Sequence, residues 1–196
     1  MKRLKYFLPV TAAILLMSAA APVNDKYTLS KGYTVGIHGT SNLHDWDETV
    51  GTVTGDGVIA WNTDGSFDLN AVNIKMEVHS IKSTEGNMMN NNTYKALKAD
   101  DNPEITFVLV DPVKAIPAST GGHAITAKIN LTIAGVTKSV NMPVTATGEK
   151  NSSVTFEGSE TIKMTDFGVK PPVALLGTLK TGDAITIHFK TAFAIN

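Results

Sequence analysis

The sequence predicts an all-β protein, an antiparallel sheet of about eight strands with one short helix. Apolar and polar residues alternate with a period of two in several stretches, which places the apolar side chains of each strand on one face. Short turn signals rich in glycine, asparagine and aspartate separate these stretches, and no long helical periodicity is present. Strands with one polar face favour antiparallel pairing, because a parallel sheet covered by helices needs continuous apolar runs. Both a sandwich and a closed barrel satisfy this pattern.

The first 21 residues have the organisation of a signal peptide. Lys2, Arg3 and Lys5 precede a mostly apolar stretch, which ends in a run of small residues up to Ala21. The apolar stretch is shorter than the ~20 residues that span a bilayer, so we expect cleavage rather than a retained anchor. The sequence therefore predicts an exported protein, periplasmic or, alternatively, secreted.

Residues 22–196 have the length of one domain and contain no cysteine. Disulfides and thiolate metal sites are therefore excluded, and the domain must be stabilised by its core. Without the leader, the 17 basic residues fall to 14 against 18 acidic residues, a net charge of −4. Because no basic stripe is available to neutralise a phosphate backbone, we predict no nucleic-acid partner.

The first strand of this domain runs into the most distinctive segment of the chain, the octet of residues 39–46. It contains the residue types of a hydrolytic triad, but triad residues converge from separate segments and rarely from one turn. We predict instead a structural rim at the end of the strand, formed by Ser41, His44, Asp45 and Trp46. Within this rim we expect Asp45 to pair with His44 and Trp46 to pack over an opening.

Later strands show the alternation most clearly. The stretches are, in chain order, 72–78, 105–109, 125–133, 140–144, 154–156 and 185–189. Between the first two of them, residues 83–97 predict a short helix with Ser83 or Thr84 as its N-cap. Helical spacing places four side chains of this segment on one face, namely Met89, Thr93, Ala96 and Leu97.

A barrel of about eight strands is just large enough either to fill itself with side chains or to hold one small ligand. The alternation identifies thirteen apolar side chains as candidates for the lumen. They are Val35, Ile37, Val72, Ile74, Met76, Val78, Phe107, Ile129, Leu131, Met142, Phe156, Ile187 and Phe189. Which of them touch a ligand cannot be read from alternation.

A metal site is not predicted. The five histidines are His38, His44, His79, His123 and His188, and none form an H-x-H or H-E-x-x-H spacing. His38 and His44 could approach each other across a turn, but two ligands without carboxylate support make a weak site. We predict neither a metal, nor another cofactor, nor a catalytic constellation.

Four motifs in order carry a resemblance to a known family. They are the octet 39–46, residues 102–107 entering a strand, the hairpin 131–138, and the late turn 164–169. In this order they resemble the YceI-like family, exported lipocalin-like proteins associated with polyisoprenoid binding. The resemblance covers nearly all of residues 22–196. It implies an antiparallel barrel of about eight strands, partly covered by a short helix, with an apolar lumen.

The leading functional prediction is non-enzymatic binding, transport or sequestration of an isoprenoid lipid or isoprenoid quinone in the lumen. Burial of a few hundred Å² of such a tail, at roughly 25 cal/mol per Å², would supply several kcal/mol before ordering costs. The alternative is a self-filled β scaffold that acts through its outer surface as an envelope protein-interaction module. Either function is compatible with an envelope protein partner and with a homo-oligomer.

Overall fold

The computed structural model describes residues 24–150, 152–174 and 177–195. The signal peptide predicted for residues 1–21 lies outside the described residues. No helix among the described residues is long and apolar enough to cross a membrane. The strands are β1 (Asn24–Leu29), β2 (Thr34–Ser41), β3 (Trp46–Val50), β4 (Val53–Trp61), β5 (Phe67–Glu77), β6 (Ile81–Ser83), β7 (Glu104–Leu109), β8 (Val113–Ile116), β9 (Ser119–Ile133), β10 (Val136–Gly148), β11 (Val154–Lys163), β12 (Val173–Ala174) and β13 (Leu179–Ile195).

These strands close into a barrel in which every neighbouring pair is antiparallel. The ring runs β1, β4, β5, β7, β9, β10, β11 and β13, and the pairing of β13 with β1 closes it. Eight strand positions therefore surround one lumen, which confirms the predicted antiparallel barrel and excludes the sandwich. The remaining strands either extend ring positions or pair at the edge, as β8 does with β5 and β12 with β13.

Three positions of the ring are formed by two collinear strands each. The first position is formed by β2 and β1, which both pair with the same edge of β13. The second is formed by β3, which pairs with β2, and β4, which pairs with β1. The third position is formed by β5 and β6, which are separated by a 3-10 turn, Val78–Ser80. These interruptions bend long strands, and the barrel can curve and close because of them.

The helix, α1 (Asn87–Leu97), begins four residues later than predicted, and its N-cap is Gly86 rather than Ser83 or Thr84. Ser83 is the last residue of β6 and pairs with Glu48, so it is part of the sheet. Its backbone N–H donates to the Asn90 Oδ1 atom at 2.8 Å, which ties the start of the helix to the strand before it. Gly86 has φ of +89°, a conformation that glycine adopts without strain.

The two ends of the barrel are built differently. At the sealed end, defined by Tyr27, Trp61, Phe67 and Phe193, four aromatic side chains are buried across the lumen. The Trp61 indole N–H donates to the Tyr27 hydroxyl at 2.9 Å, and the Trp61 and Phe67 rings lie 5.1 Å apart. This aromatic plug removes one entrance to the lumen.

At the other end, which we call the lidded end, α1 and a 3-10 turn, Met164–Phe167, lie over the lumen. The 3-10 turn is fixed to β13 because the Thr165 N–H and hydroxyl both donate to the Asp183 carboxylate, at 2.9 and 2.6 Å. These hydrogen bonds hold the pKa of Asp183 below its usual value. Phe167 and Val169 are buried beneath the turn.

Candidate functional site

The lumen between the two ends contains two adjoining cavities. The cavity towards the sealed end has a volume of about 70 Å³, and the cavity beneath the lid has a volume of about 90 Å³. Each is several times the roughly 10–15 Å³ that one water molecule needs. The same four side chains border both cavities, namely Val35, Met76, Leu131 and Ile187. The two spaces therefore share part of their walls and lie next to each other along the barrel axis, and together we call them the channel.

The cavity near the sealed end is almost entirely apolar. Its wall includes Phe107, Phe156 and Phe189, and its single polar side chain among the described residues is Thr191. The Thr191 hydroxyl is used internally, since it donates to the Phe156 carbonyl at 3.3 Å. Nothing in this wall offers a strong hydrogen bond to a ligand, so the cavity suits hydrocarbon.

The cavity beneath the lid has a different wall. The face of α1 predicted from spacing borders it, with Met89, Thr93, Ala96 and Leu97 all in the lining, which confirms that prediction. Three polar side chains also border this cavity: Glu48, Thr93 and Thr181. The lidded half of the lumen is therefore where a polar ligand group can be met.

Eleven of the thirteen candidate lumen residues border one or both cavities. They are Val35, Ile37, Val72, Ile74, Met76, Phe107, Leu131, Met142, Phe156, Ile187 and Phe189. That these residues contact a ligand stays a prediction. The other two, Val78 and Ile129, are buried but border neither cavity. Val78 belongs to the 3-10 turn between β5 and β6, where the period of two breaks, and Ile129 is fully covered by core neighbours.

The octet 39–46 forms the end of β2, a tight turn and the start of β3. The Ser41 hydroxyl donates to the His44 carbonyl at 2.7 Å and accepts from the His44 N–H at 3.1 Å. It therefore closes the turn as an ST-type motif and does not face the imidazole. The expected pairing of the Asp45 carboxylate with His44 is not observed. The His44 Nδ1 atom lies 2.7 Å from the backbone carbonyl of Asp45 and 3.4 Å from Glu85 Oε1.

Trp46 lies flat against Gly39, its direct partner across β2 and β3. A Cβ atom at position 39 would overlap the indole ring, so glycine is required for this packing. The Trp46 indole N–H donates to the Thr40 carbonyl at 3.1 Å, and only 7% of the side chain is exposed. Trp46 also borders the cavity beneath the lid, so this ring forms part of the lumen wall.

Glu48 is the functional candidate that the sequence interpretation missed. It is 3% exposed, borders the cavity beneath the lid, and accepts a hydrogen bond of 2.5 Å from the Thr93 hydroxyl of α1. Burial raises the pKa of the Glu48 carboxyl, and the nearby Glu85 carboxylate adds to this, while the bond from Thr93 opposes it. The alternation of Trp46, Glu48 and Val50 could have identified it, because these three side chains share the inward face of β3.

The histidines near the rim do not form a metal site. His38 Nδ1 lies 2.9 Å from the Asp47 carboxylate on the outer face, away from His44. Across residues 24–150, 152–174 and 177–195, no three side chains of histidine, aspartate or glutamate converge in a way that would hold a metal ion.

A closed eight-stranded antiparallel barrel with an apolar channel, plugged at one end and lidded at the other, is a lipocalin-like binding fold. The YceI-like domain family matches residues 31–193, and the chain belongs to this family. No curated protein matches the sequence.

Solved structures share the fold at low sequence identity. A polyisoprenoid binding domain from Saccharophagus degradans, implicated in plant cell wall breakdown, is 11% identical with a TM-score of 0.67, covering 87% of this chain and 98% of that one. BcnA of Burkholderia cenocepacia is 21% identical with a TM-score of 0.60, covering 82% and 95%. The YceI protein of Campylobacter jejuni is 18% identical with a TM-score of 0.56, covering 74% and 82%.

Proposed function

We propose that this protein binds one isoprenoid chain, carried by a lipid or a quinone, inside its barrel and carries or sequesters it without chemical change. The observation that supports this most directly is the pair of adjoining, mostly apolar cavities between the lid and the aromatic plug. Family membership and the fold shared with a polyisoprenoid binding domain are consistent with such a ligand. An apolar tail gains free energy from leaving water at roughly 25 cal/mol per Å² of surface buried.

The proposal is non-enzymatic because the polar groups of the octet are used in the turn. The Ser41 hydroxyl and the His44 imidazole do not face each other, so no activated nucleophile is present there. Replacement of His44 by alanine should therefore leave ligand identity unchanged.

The sequence of residues 1–21 supports export, and we propose the periplasm as the site of action, with secretion as the alternative. An isoprenoid tail is too apolar to cross an aqueous compartment alone, and a binding protein would carry it across. The channel would shield the tail, and the polar outer faces of the strands would keep the complex in solution.

Organic extraction of the protein purified from its native host, followed by mass spectrometry, tests the proposal. We expect one class of prenyl lipid or quinone in stoichiometric amount. A barrel that is reproducibly empty and also fails to take up added prenols and prenyl quinones would overturn it. The self-filled scaffold predicted no room in the lumen, and the two cavities count against it.

A further inference from the structure

We propose that Glu48, together with Thr93, binds the polar end of the ligand and makes the lumen selective for uncharged head groups that form hydrogen bonds. This inference rests on the proposed function, since it presumes an apolar tail in the channel. It assigns the head group to the lidded half of the barrel and excludes phosphate, diphosphate and carboxylate heads.

The first argument is the isolation of Glu48. Among the described residues, no other ionisable side chain borders either cavity. A carboxyl group in apolar surroundings costs free energy unless its oxygens are hydrogen-bonded. At this site that cost is offset only in part, because a single hydrogen bond reaches the carboxyl group from the described residues.

The second argument concerns Oε2, the Glu48 carboxyl oxygen that does not accept the hydrogen bond from Thr93. Thr93 donates to Oε1, and the described residues supply no partner for Oε2. No fully buried side-chain oxygen among them lacks a partner, so Oε2 must have open space beside it. Since Glu48 borders the cavity beneath the lid, that open space is the place where a ligand atom can form the missing hydrogen bond.

The third argument is charge. A buried anionic head would need a cation beside it, and none borders the cavities. Glu85 is the acid whose charge helps to raise the pKa of Glu48, and it lies 3.4 Å from the His44 imidazole. The other charged side chains of the flanking elements do not border the cavity beneath the lid; they include Asp47, Lys82, Lys95, Lys163, Asp166, Lys170, Lys180 and Asp183. A phosphate placed there would meet only a carboxyl group.

The position of Glu48 also leaves room for a tail. Through β2, Glu48 is level with Ile187 of β13, and the plug begins at Phe193. At about 3.4 Å per residue this is about 20 Å of strand, or about 15 Å along the axis at a tilt of about 40°. A geranylgeranyl chain is therefore a suitable test tail, with its head at Glu48 and its end at the plug.

The test compares four probes with the same geranylgeranyl tail: the alcohol, a menaquinone, the monophosphate and the plain hydrocarbon. Equilibrium binding to the full mature chain is measured at about pH 4 and about pH 9. We expect the alcohol and the quinone to bind at least about tenfold more tightly than the hydrocarbon at about pH 4, the worth of one hydrogen bond. The monophosphate should bind most weakly at both pH values.

The two uncharged heads should respond differently to pH. A quinone carbonyl only accepts hydrogen bonds, so its affinity should fall about tenfold once Glu48 loses its proton. An alcohol can donate to the carboxylate, so its affinity should stay nearly constant. In the Glu48→Gln variant the amide donates at every pH, and the quinone affinity should become independent of pH.

Two further variants complete the design. Glu48→Leu should lose the preference for the alcohol over the hydrocarbon, while the matched control Thr191→Val, which changes the polar side chain of the apolar cavity, should keep it. In a Trp61→Phe background, bound quinone should quench the fluorescence of Trp46, the remaining tryptophan, which borders the same cavity as Glu48.

The outcomes separate the two proposals. If none of the four probes binds, the proposed function fails. If all four bind with equal affinity, or if Glu48→Gln leaves the pH dependence of quinone binding unchanged, the tail-binding function stands and the role of Glu48 is overturned. Tighter binding of the monophosphate than of the alcohol would overturn it as well.

Discussion

The sealed end and the lidded end of the barrel close the same lumen with different structural elements. At the sealed end, side chains of the barrel strands themselves meet across the axis, and Tyr27, Phe67 and Phe193 are 0–1% exposed. At the lidded end, separate segments lie across the opening, and they are held by individual hydrogen bonds such as those of Thr93 and Thr165. The first closure is part of the core, whereas the second can yield without unfolding the barrel.

This difference assigns distinct roles to the two ends. The plug should mainly determine stability, because its side chains are buried and the Trp61 N–H is paired with Tyr27; of its four rings, Phe193 alone borders a cavity. The lid should determine ligand exchange, because α1 and the 3-10 turn border a cavity on one side. Variants at each end can therefore test this difference in roles, and the four below follow in order of decreasing expected effect.

The largest effect is expected for Phe193→Ala at the sealed end. The Phe193 ring is 1% exposed and packs beside Phe156, although it also borders the apolar cavity, and its removal should lower the free energy of unfolding by about 3–5 kcal/mol. Urea unfolding monitored by circular dichroism checks this. Phe193→Leu is the matched control, since it retains most of the buried volume. A loss below about 1 kcal/mol in the alanine variant would mean that the plug is not part of the core.

Trp46→Ala should affect stability and ligand retention together. We expect a loss of about 2–3 kcal/mol, less than at the plug because Trp46 lies at the rim and is 7% exposed, against 1% for Phe193. Dissociation of a bound prenyl quinone should become faster, which stopped-flow fluorescence measures. The control is Gly39→Ala, which keeps Trp46 but adds a Cβ atom that should displace the Trp46 ring. Unchanged melting temperature and unchanged retention in Trp46→Ala would show that the rim assignment is wrong.

Tyr27→Phe tests the polar contact inside the plug. The variant leaves the buried Trp61 indole N–H without its acceptor, which should cost about 1–2 kcal/mol of stability. Ligand affinity should not change, because neither residue borders a cavity. Thermal unfolding and a prenol titration are measured on the same samples. Weaker binding with unchanged stability would place Tyr27 in the ligand site rather than in the plug.

The smallest effect is a pH dependence of stability that arises from Glu48. Its pKa is raised in the folded protein above the ordinary 4.5, so between these two pKa values the folded chain holds a proton that the unfolded chain has lost. The contribution of Glu48 to the free energy of unfolding is therefore most favourable below 4.5 and falls as the pH rises through the folded pKa.

Glu48→Gln should remove this component, so the stability of the wild type relative to the variant should decline with rising pH. Urea unfolding of both proteins across the acid to neutral range measures the difference. The lowered pKa of Asp183 has the opposite sign, with stability lost as the pH falls, and it cancels in this comparison because both proteins retain it. A difference that is constant with pH would contradict the raised pKa of Glu48.

The barrel wall was predictable from sequence because strand alternation directly encodes which side chains face the lumen. Val72, Ile74 and Met76 illustrate this, since these three cavity-lining residues are spaced two apart along β5. The pattern fails where the backbone leaves the strand period, as at Val78 in its 3-10 turn. It also misplaced the start of α1, because Ser83 has the chemistry of an N-cap but is held in the sheet by its pairing with Glu48.

Glu48 was missed for a different physical reason. In the sequence it lies between Asp47 and Thr49 and has the polarity of an exposed strand edge. Its burial depends on a hydroxyl supplied by Thr93, 45 residues further along the chain. A polar residue on an inward face can be recognised from alternation, as the Trp46 to Val50 spacing shows, but its partner becomes visible only when the helix is placed over the barrel.

The pairing of β13 with both β1 and β2 also has a consequence for the timing of folding. The last described strand closes the barrel against the first two, so the most distant segments of the described chain must meet before the ring is complete. A chain still on the ribosome, with residues 179–195 not yet emerged, would present open strand edges on both sides of the gap. Because such non-local pairing is slow to form, the ring can close only after residues 179–195 have been synthesised.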